Sequence, residues 1–295
     1  MDILNVENVI KKELFPLFSV AISVYGKDNP KWFDRALESI INQTLKPDEI
    51  VLVVDGQIPE SIELIIEKYR KKCSVNNIFF NILRVEKNCG LGNALRLAVQ
   101  CSRNNWIARM DSDDISLPNR FEQQMRYIVS HNNVDIIGGD ITEFIGNEEN
   151  IVGKRTVPKS DKAIREYMKV RCAMNHVSVM YKKHSVLRAG GYKDWFWNED
   201  YFLWIRMMEC NCKFANTGSV LVNVRVGKDM YNRRGGIKYC KSELKLQTYM
   251  LKKKLIGVHT FLFNCVKRII VQILIPNKIR GWVFRTLARE KYIDD

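Results

Sequence analysis

No two of the eight cysteines stand in a C-x-x-C pair. Most of them fall in apolar runs, so no spacing supports a metal knuckle. The opening Met1 to Lys12 does not read as a signal peptide, so a disulfide framework is not expected and free thiols in a reducing cytosol are. Histidine is scarce, at four residues, and no Ser-His-Asp or Cys-His arrangement can be argued from spacing. No stretch has the length and composition of a spanning helix. The nearest, Leu255 to Leu274, is broken by His259, Asn264, Lys267, Arg268 and Gln272. Internal repeats and low-complexity segments are absent as well.

What is present is an ordinary globular composition with an excess of cations. Hydrophobic residues make up 46% and charged residues 27% of the 295 residues, which excludes a mainly disordered or collagen-like chain. Forty-seven Lys and Arg against 33 Asp and Glu leave a formal charge of +14. Such an excess predicts an anionic partner: nucleic acid, a phosphate-bearing substrate or an anionic membrane. The charge is unevenly placed. From Arg225 onward seventeen Lys/Arg oppose five Asp/Glu, so a nearly neutral body carries a basic C-terminal region.

The first half alternates. Phe18 to Tyr25, Glu49 to Asp55, Ile78 to Val85 and Asn105 to Met110 read as strands. Helices starting at Asn29-Pro30, Ile62 and Gly90 lie between them. The run EIVLVVD has no alternation, as expected for a strand buried on both faces. The pattern predicts an α/β fold with an open, mostly parallel sheet and helices on both sides. Ligands of such sheets bind at the carboxyl ends of the strands, so Tyr25, Asp55, Asn88 and Asp111 to Asp114 are expected to share one rim. After residue 115 the pattern loosens. A helix follows Leu117-Pro118, and strands of mixed pairing are expected over 134–144, 151–157 and 177–181. A short helix is expected from Glu199 to Met208, and from about Gly235 the chain reads as helical and basic.

Asp111-Ser112-Asp113-Asp114 is the strongest chemical feature. In extended backbone Asp111 and Asp113 face one way. Clustered carboxylates raise one another's pKa unless a cation joins them, and Mg²⁺ or Mn²⁺ takes one or two carboxylates with water and phosphate oxygens. The same run also reads as a solvated turn before a helix. Asp55, followed by Gly56, is placed to accept from a nucleobase imide or a ribose hydroxyl, and equally reads as an Asp-Gly turn. Asn88-Cys89-Gly90-Leu91-Gly92 allows close backbone approach to a ligand, although Leu95 stands where a third glycine would complete a dinucleotide fingerprint. Glu199-Asp200 opens a helix after Trp195-Phe196-Trp197. The helix N-terminus is expected to hold Asp200 ionised, ready to take a hydroxyl proton, while the aromatics form a wall for a sugar ring. A capping acid beside core aromatics is the alternative. Arg233-Arg234-Gly235-Gly236 suits a diphosphate or a solvated turn, and His176 reads as structural or site-lining. Val258, Phe261, Leu262, Cys265 and Ile269 recur at helical spacing among cations. That fits a helix lying in a membrane interface or one packed on the domain.

Taken together, these residues resemble the family 2 glycosyltransferases, the inverting, nucleotide-sugar-dependent group with the GT-A fold. The resemblance runs from Phe18 to Ser242. It is carried by FSVAISVY at 18–25, IVLVVDG at 50–56, NCGLGNAL at 88–95, ARMDSDDISLPNR at 108–120, Gly190-Gly191-Tyr192 and NEDYFLW at 198–204. Val224-Arg-Val-Gly followed by Arg233-Arg-Gly-Gly236 resembles the subgroup that builds bacterial capsule, exopolysaccharide and O-antigen repeats, including amylovoran-type enzymes. The resemblance implies Asp200 as general base, and Asp111 and Asp113 as the D-x-D element that holds ribose and Mn²⁺ or Mg²⁺. It implies a nucleotide-sugar site of Val24, Tyr25, Asp55, Asn88, Asp111, Ser112, Arg233 and Arg234, with His176, Gly191, Trp197 and Glu199 near donor or acceptor. It also implies a UDP-sugar donor, a glycan acceptor on a polyprenyl diphosphate, an anionic membrane surface on the cytoplasmic face of the bacterial inner membrane, and no nucleic-acid partner. The family often has two acids before the glycine where this chain has Val54-Asp55, and Asn223 to Gly236 holds no His to complete a metal shell. The expected organisation is an N-terminal extension 1–17, a catalytic domain 18–235 with a nucleotide-sugar half (18–114) and an acceptor half (115–235), and a basic helical region 236–295. A phosphatase of the haloacid-dehalogenase type with Asp111 as nucleophile, and a non-enzymatic basic scaffold, are the rival readings. A nucleotidyltransferase is the nearest chemical neighbour.

Overall fold

The computed structural model describes residues 14–227 and 235–275. Its first half is the expected alternation: β1 (Phe18–Tyr25), α1 (Pro30–Ile41), β2 (Glu49–Asp55), α2 (Glu60–Val75), β3 (Phe79–Val85), α3 (Leu91–Cys101) and β4 (Trp106–Met110). The local causes are those of the sequence. Asn29 caps α1 by accepting from the Lys31 and Trp32 backbone N–H groups, and Pro30 supplies the fixed φ of a first helical turn. Every residue of β2 is buried, whereas β3, at the sheet edge, stays half exposed.

The second half comprises β5 (Ile115–Ser116), α4 (Arg120–Ser130), β6 (Ile136–Phe144), β7 (Ile151–Arg155), α5 (Asp161–Met168), β8 (Met180–Lys182), α6 (Lys183–Arg188), α7 (Glu199–Glu209) and β9 (Phe214–Arg225). One nine-stranded sheet runs β3-β2-β1-β4-β8-β6-β9-β5, with β7 on β6. The β3-β2-β1-β4 portion is wholly parallel, and the mixed pairing enters with β8, antiparallel to both β4 and β6. The strand expected over 177–181 differs. Residues His176–Ser178 form a 3-10 turn, because the Ser178 hydroxyl bonds the Asn175 and Gly139 carbonyls and bends the backbone before β8 begins.

Strand alternation distributes the core over both faces. Ile50, Leu52 and Val54 meet α1, α2 and α4 through Phe33, Leu37, Ile62, Ile66 and Phe121. Val51 and Val53 face the other way, into a cluster with Ala94, Leu95, Leu203 and Trp204. The C-terminal helices α8 (Ile237–Lys252) and α9 (Val258–Ile269) follow. Leu246 and Met250 of α8 join the same cluster as Trp204, so α8 is continuous with the domain core. The eight cysteines are unpaired, and no helix among the described residues is long and apolar enough to cross a membrane.

Candidate functional site

Parallel register sets the rim. Tyr25 of β1 pairs with Asp55 of β2, which pairs with Val85 of β3, and β4 ends at Met110 opposite Ile22. Asp55, Asn88 and Asp111 therefore leave the sheet on one edge, as anticipated. Tyr25 is 40% exposed there, while the Val24 side chain belongs to the core. Asp55 is buried, and its two oxygens accept from the Cys89 and Gly90 N–H groups at 2.7 and 3.0 Å. Its carboxylate thus clamps the β3–α3 junction. Asn88 adds a bond to the Asp55 carbonyl at 3.3 Å. Gly56, at φ +88°, lets that junction close, since a Cβ there would lie 2.9 Å from the Asn88 nitrogen.

Asp111, Asp113 and Asp114 bring carboxylate oxygens within 4.8 Å of one another, the one such acidic group among the described residues. Asp28 extends it by accepting from the Ser112 hydroxyl at 2.8 Å. Burial, then Asp111, then Asp28 push the Asp113 carboxyl up to about 6. Asp114 is raised well above the usual range by burial and by Asp113. Asp114 accepts from the Arg225 backbone N–H at 2.8 Å, and the Arg225 guanidinium lies over Trp32 and Phe144. Three acids held this close, with Asp28 adding negative charge beside them, are a strong draw for a cation.

A buried arginine lies behind them. Arg109, 2% exposed, grips Asp111 with both terminal nitrogens. Its charge also favours the anionic forms of Asp113, Asp114, Glu199 and Asp200. The acid group at the end of β4 and the acid pair at the start of α7 therefore share one electrostatic field. Glu199 is raised to about 7 by burial and then by Asp200, with Asp111 adding to it. Gly92, in the first turn of α3, lies against the Glu199 side chain, so the glycine-rich junction borders the same cleft.

Asp200 departs from the expected direction. Burial raises its pKa, outweighing the Tyr201 N–H, Arg109 and Arg155 that lower it. The sequence argument weighed the helix N-terminus, whereas desolvation of the folded cleft dominates. The preceding turn is strained: Trp197 has φ +58°, uncommon for a bulky residue, and its side chain is exposed. α8 holds this turn. The Ser242 hydroxyl donates to the Phe196 carbonyl at 2.6 Å and accepts from the Asn198 amide at 3.3 Å. Lys238 and Lys245 stand over the Phe196 and Trp195 rings.

His176 is placed against Tyr192, 2.8 Å from its hydroxyl, and edge-on to Trp204. Burial and then Arg109 lower its pKa well below the usual value, so it is neutral and positions rather than titrates. Gly191, at φ +64°, forms the adjacent turn and receives a bond on its carbonyl from Arg206. Arg233 and Arg234 lie outside the described residues. Sequence reasoning passed over Arg109, Asp28 and Arg225. A charged residue inside the apolar strand WIARM, two before the first aspartate, was a signal for Arg109. Arg225 stands inside the Val224-Arg-Val-Gly run, and Asp28 offered no signal.

Comparison with known proteins completes the assignment. Residues 19–196 match the family described as Glycosyl transferase family 2. The chain is 34% identical over 276 residues, 93% of its own length and 97% of the other's, to the Escherichia coli protein named UDP-Gal:alpha-D-GlcNAc-diphosphoundecaprenol beta-1,3-galactosyltransferase. It is 39% identical over 241 residues, covering 82% and 88%, to the amylovoran biosynthesis glycosyltransferase AmsE of Erwinia amylovora. Among solved structures it resembles S. aureus TarS 1-349 in complex with UDP-GlcNAc. That TM-score is 0.61 at 16% identity, over 91% of this chain and 79% of that one, a likeness of fold. The matching fold is GT-A, and the rim, the acid group and the acid pair of α7 fall on the motifs that carried the resemblance. The phosphatase and scaffold readings therefore give way: the chain belongs to glycosyl transferase family 2 and is a glycosyltransferase.

Proposed function

We propose that the protein moves a sugar, with inversion at its anomeric carbon, from a uridine-diphosphate donor to a hydroxyl of a glycan carried on a polyprenyl diphosphate. The observation that carries the reading is the cleft itself, where Asp111, Asp113 and Asp114 and the Glu199-Asp200 pair lie in the field of one buried Arg109. The E. coli relative's name gives a UDP-galactose donor and a diphosphoundecaprenol-linked acceptor, and it aligns with nearly the whole chain. An acceptor of that kind resides at a bilayer, which fits a peripheral enzyme on the cytoplasmic face of the inner membrane.

The donor set fits a hard divalent cation, Mg²⁺ or Mn²⁺: oxygen ligands only, clustered and mutually repelling. Asp113 is the principal ligand, since Arg109 already holds Asp111 and the Arg225 N–H occupies one oxygen of Asp114. Asp114 is the nearest candidate for the ligand that a histidine supplies in other members. Held by Asp113, such a cation would supply positive charge near the departing diphosphate.

The chain's own residues do the rest. The rim at Tyr25, Asp55 and Asn88 receives the nucleoside, with Asp111 and Ser112 beside the ribose. The resemblance assigns Arg233 and Arg234, outside the described residues, to the neighbourhood of the donor diphosphate or the acceptor. Asp200 takes the proton of the acceptor hydroxyl as that oxygen attacks the anomeric carbon from the face opposite the leaving group, and a single displacement inverts the configuration. Burial raises the Asp200 pKa, which makes it a better base than an exposed aspartate, while the Tyr201 N–H and Arg109 favour its anionic form. Trp197, Gly191 and His176 shape the sugar end. Residues 18–235 form the catalytic unit, divided near residue 114, and 236–295 is its basic extension, helical over Ile237–Lys252 and Val258–Ile269.

The test is release of UDP from a panel of UDP-sugars with Mn²⁺ or Mg²⁺, in the presence of a GlcNAc-diphospho-polyprenol. Asp200→Asn is expected to lose about 10²–10⁴-fold in turnover while its affinity for UDP is kept. Near-full turnover in that variant would remove Asp200 as the base.

A further inference from the structure

Helix α9 is built inside out. The residues it turns toward the domain, Asn264 and Arg268, are polar, and Gln272 in the following π-helical turn Ile270–Leu274 continues the stripe at a spacing of four. All three are buried. The Asn264 amide donates to the Lys169 carbonyl at 2.9 Å and to the Gln247 side chain at 2.8 Å. Arg268 pairs with the buried Glu243 of α8 and reaches the Val170 carbonyl at 3.2 Å. The opposite face carries Leu262, Phe263, Val266, Ile269, Ile270 and Ile273, all exposed, the first three at 54, 63 and 56%. An ordinary surface helix does the reverse, burying its apolar stripe and wetting its polar one. Polar bonds fix this helix, so that its apolar side is presented outward.

The surroundings identify what covers that side. Between Glu243 and Glu290 the sequence has no acid and ten Lys or Arg. Lys267, exposed, stands one helical turn from both Phe263 and Ile270, and Lys252, Lys253 and Lys254 precede α9. An apolar stripe rimmed by cations matches an anionic bilayer interface, where side chains enter the acyl boundary and ammonium groups remain with the headgroups. α9, at 12 residues, is too short to span, so it lies in the interface plane.

We propose that the outward face of α9, from Leu262 to Ile273, is a membrane-seating surface that holds the enzyme on anionic lipid. It deepens the reading of a lipid-linked acceptor, because Glu243 and Ser242 of α8 connect this surface to the turn before Asp200. The sequence pattern had assigned Phe261 and Cys265 to the apolar face. Both are half buried, and Phe261 packs on the core, so the seat is turned away from them.

The experiment is flotation of the full chain with vesicles of phosphatidylcholine, with and without phosphatidylglycerol. The protein is expected to float with the anionic vesicles. The triple variant L262Q/V266Q/I269Q is expected to lose at least about tenfold in partition, with UDP affinity kept and a melting temperature unchanged or raised. Equal flotation of the variant overturns the proposal. So does a protein that never floats and instead forms a dimer that the variant dissolves, which would make a second copy the occupant. No flotation with a lowered melting temperature in the variant would assign the face to the rest of this chain, and also overturns it. No sugar nucleotide is present in the assay, so loss of seating and loss of transfer are read separately.

Discussion

Burial raises Asp113 to about 6 and Glu199 to about 7, and this sets what the cleft does with pH. The folded state holds a proton on Asp113 more tightly than the unfolded chain, whose value is near 3.8. Stability from this group is therefore greatest below that value and falls as pH rises through the folded pKa. Asp113→Asn removes the cost. The variant is expected to melt above the wild type at pH 7 to 8 without added metal, and the gap should shrink steadily as pH falls toward 4. A constant gap across that range would contradict the repulsion argument. Metal binding runs the other way, weakening below about pH 6 as the proton competes for Asp113. The three acids Asp111, Asp113 and Asp114 were legible from their residue types and their place after a strand. Their electrostatic partner Arg109 left one signal, a charge inside an apolar strand, but strand alternation alone cannot say that the buried guanidinium reaches forward to Asp111 just past the strand end. Asp55 was read as a ligand contact. Its clamp on the Cys89 and Gly90 amides needed the three-dimensional junction.

At the scale of elements, α7 carries the proposed base Asp200 and α8 holds the turn that precedes it. Ser242 makes two bonds to that turn, each contributing roughly 0.5–1.5 kcal/mol. Ser242→Ala is expected to reduce turnover by about 5–30-fold while UDP affinity stays within twofold or so. A change confined to donor affinity would show that the turn does not serve the acceptor side. Periodicity exposed the first seven elements in type and order, with the second helix longer at both ends than the 62–71 read from its stripe. It failed at His176–Ser178, where the Ser178 hydroxyl competes with the ladder for backbone groups. For α9 the helical spacing held and the facing stayed open: Val258, Leu262 and Ile269 are exposed, while Phe261 and Cys265 are half buried. A hydrophobic stripe predicts which residues share a side, and only the buried Arg268–Glu243 pair reveals which side the domain takes.

Across the whole molecule, a parallel β3-β2-β1-β4 portion and a mixed-paired portion form one sheet, and α8 packs on its core. β8 joins the halves by pairing antiparallel with both β4 and β6. The charge asymmetry read from composition finds its place in α8 and α9, where cations cover the aromatic turn and rim the outward apolar face. The fold was legible because strand–helix alternation admits few topologies. The attachment of α8 to the core was not, because a basic amphipathic helix reads the same whether it packs on protein or on lipid. The central claim is that the carboxylates after β4 hold a nucleoside diphosphate through a divalent cation. Its most direct test is calorimetric titration of UDP into wild type and Asp113→Asn, with Mn²⁺ and with chelator. Binding is expected in the wild type with Mn²⁺ and to weaken at least about tenfold in the variant and in chelator alike. Equal affinity in all three samples would contradict the account.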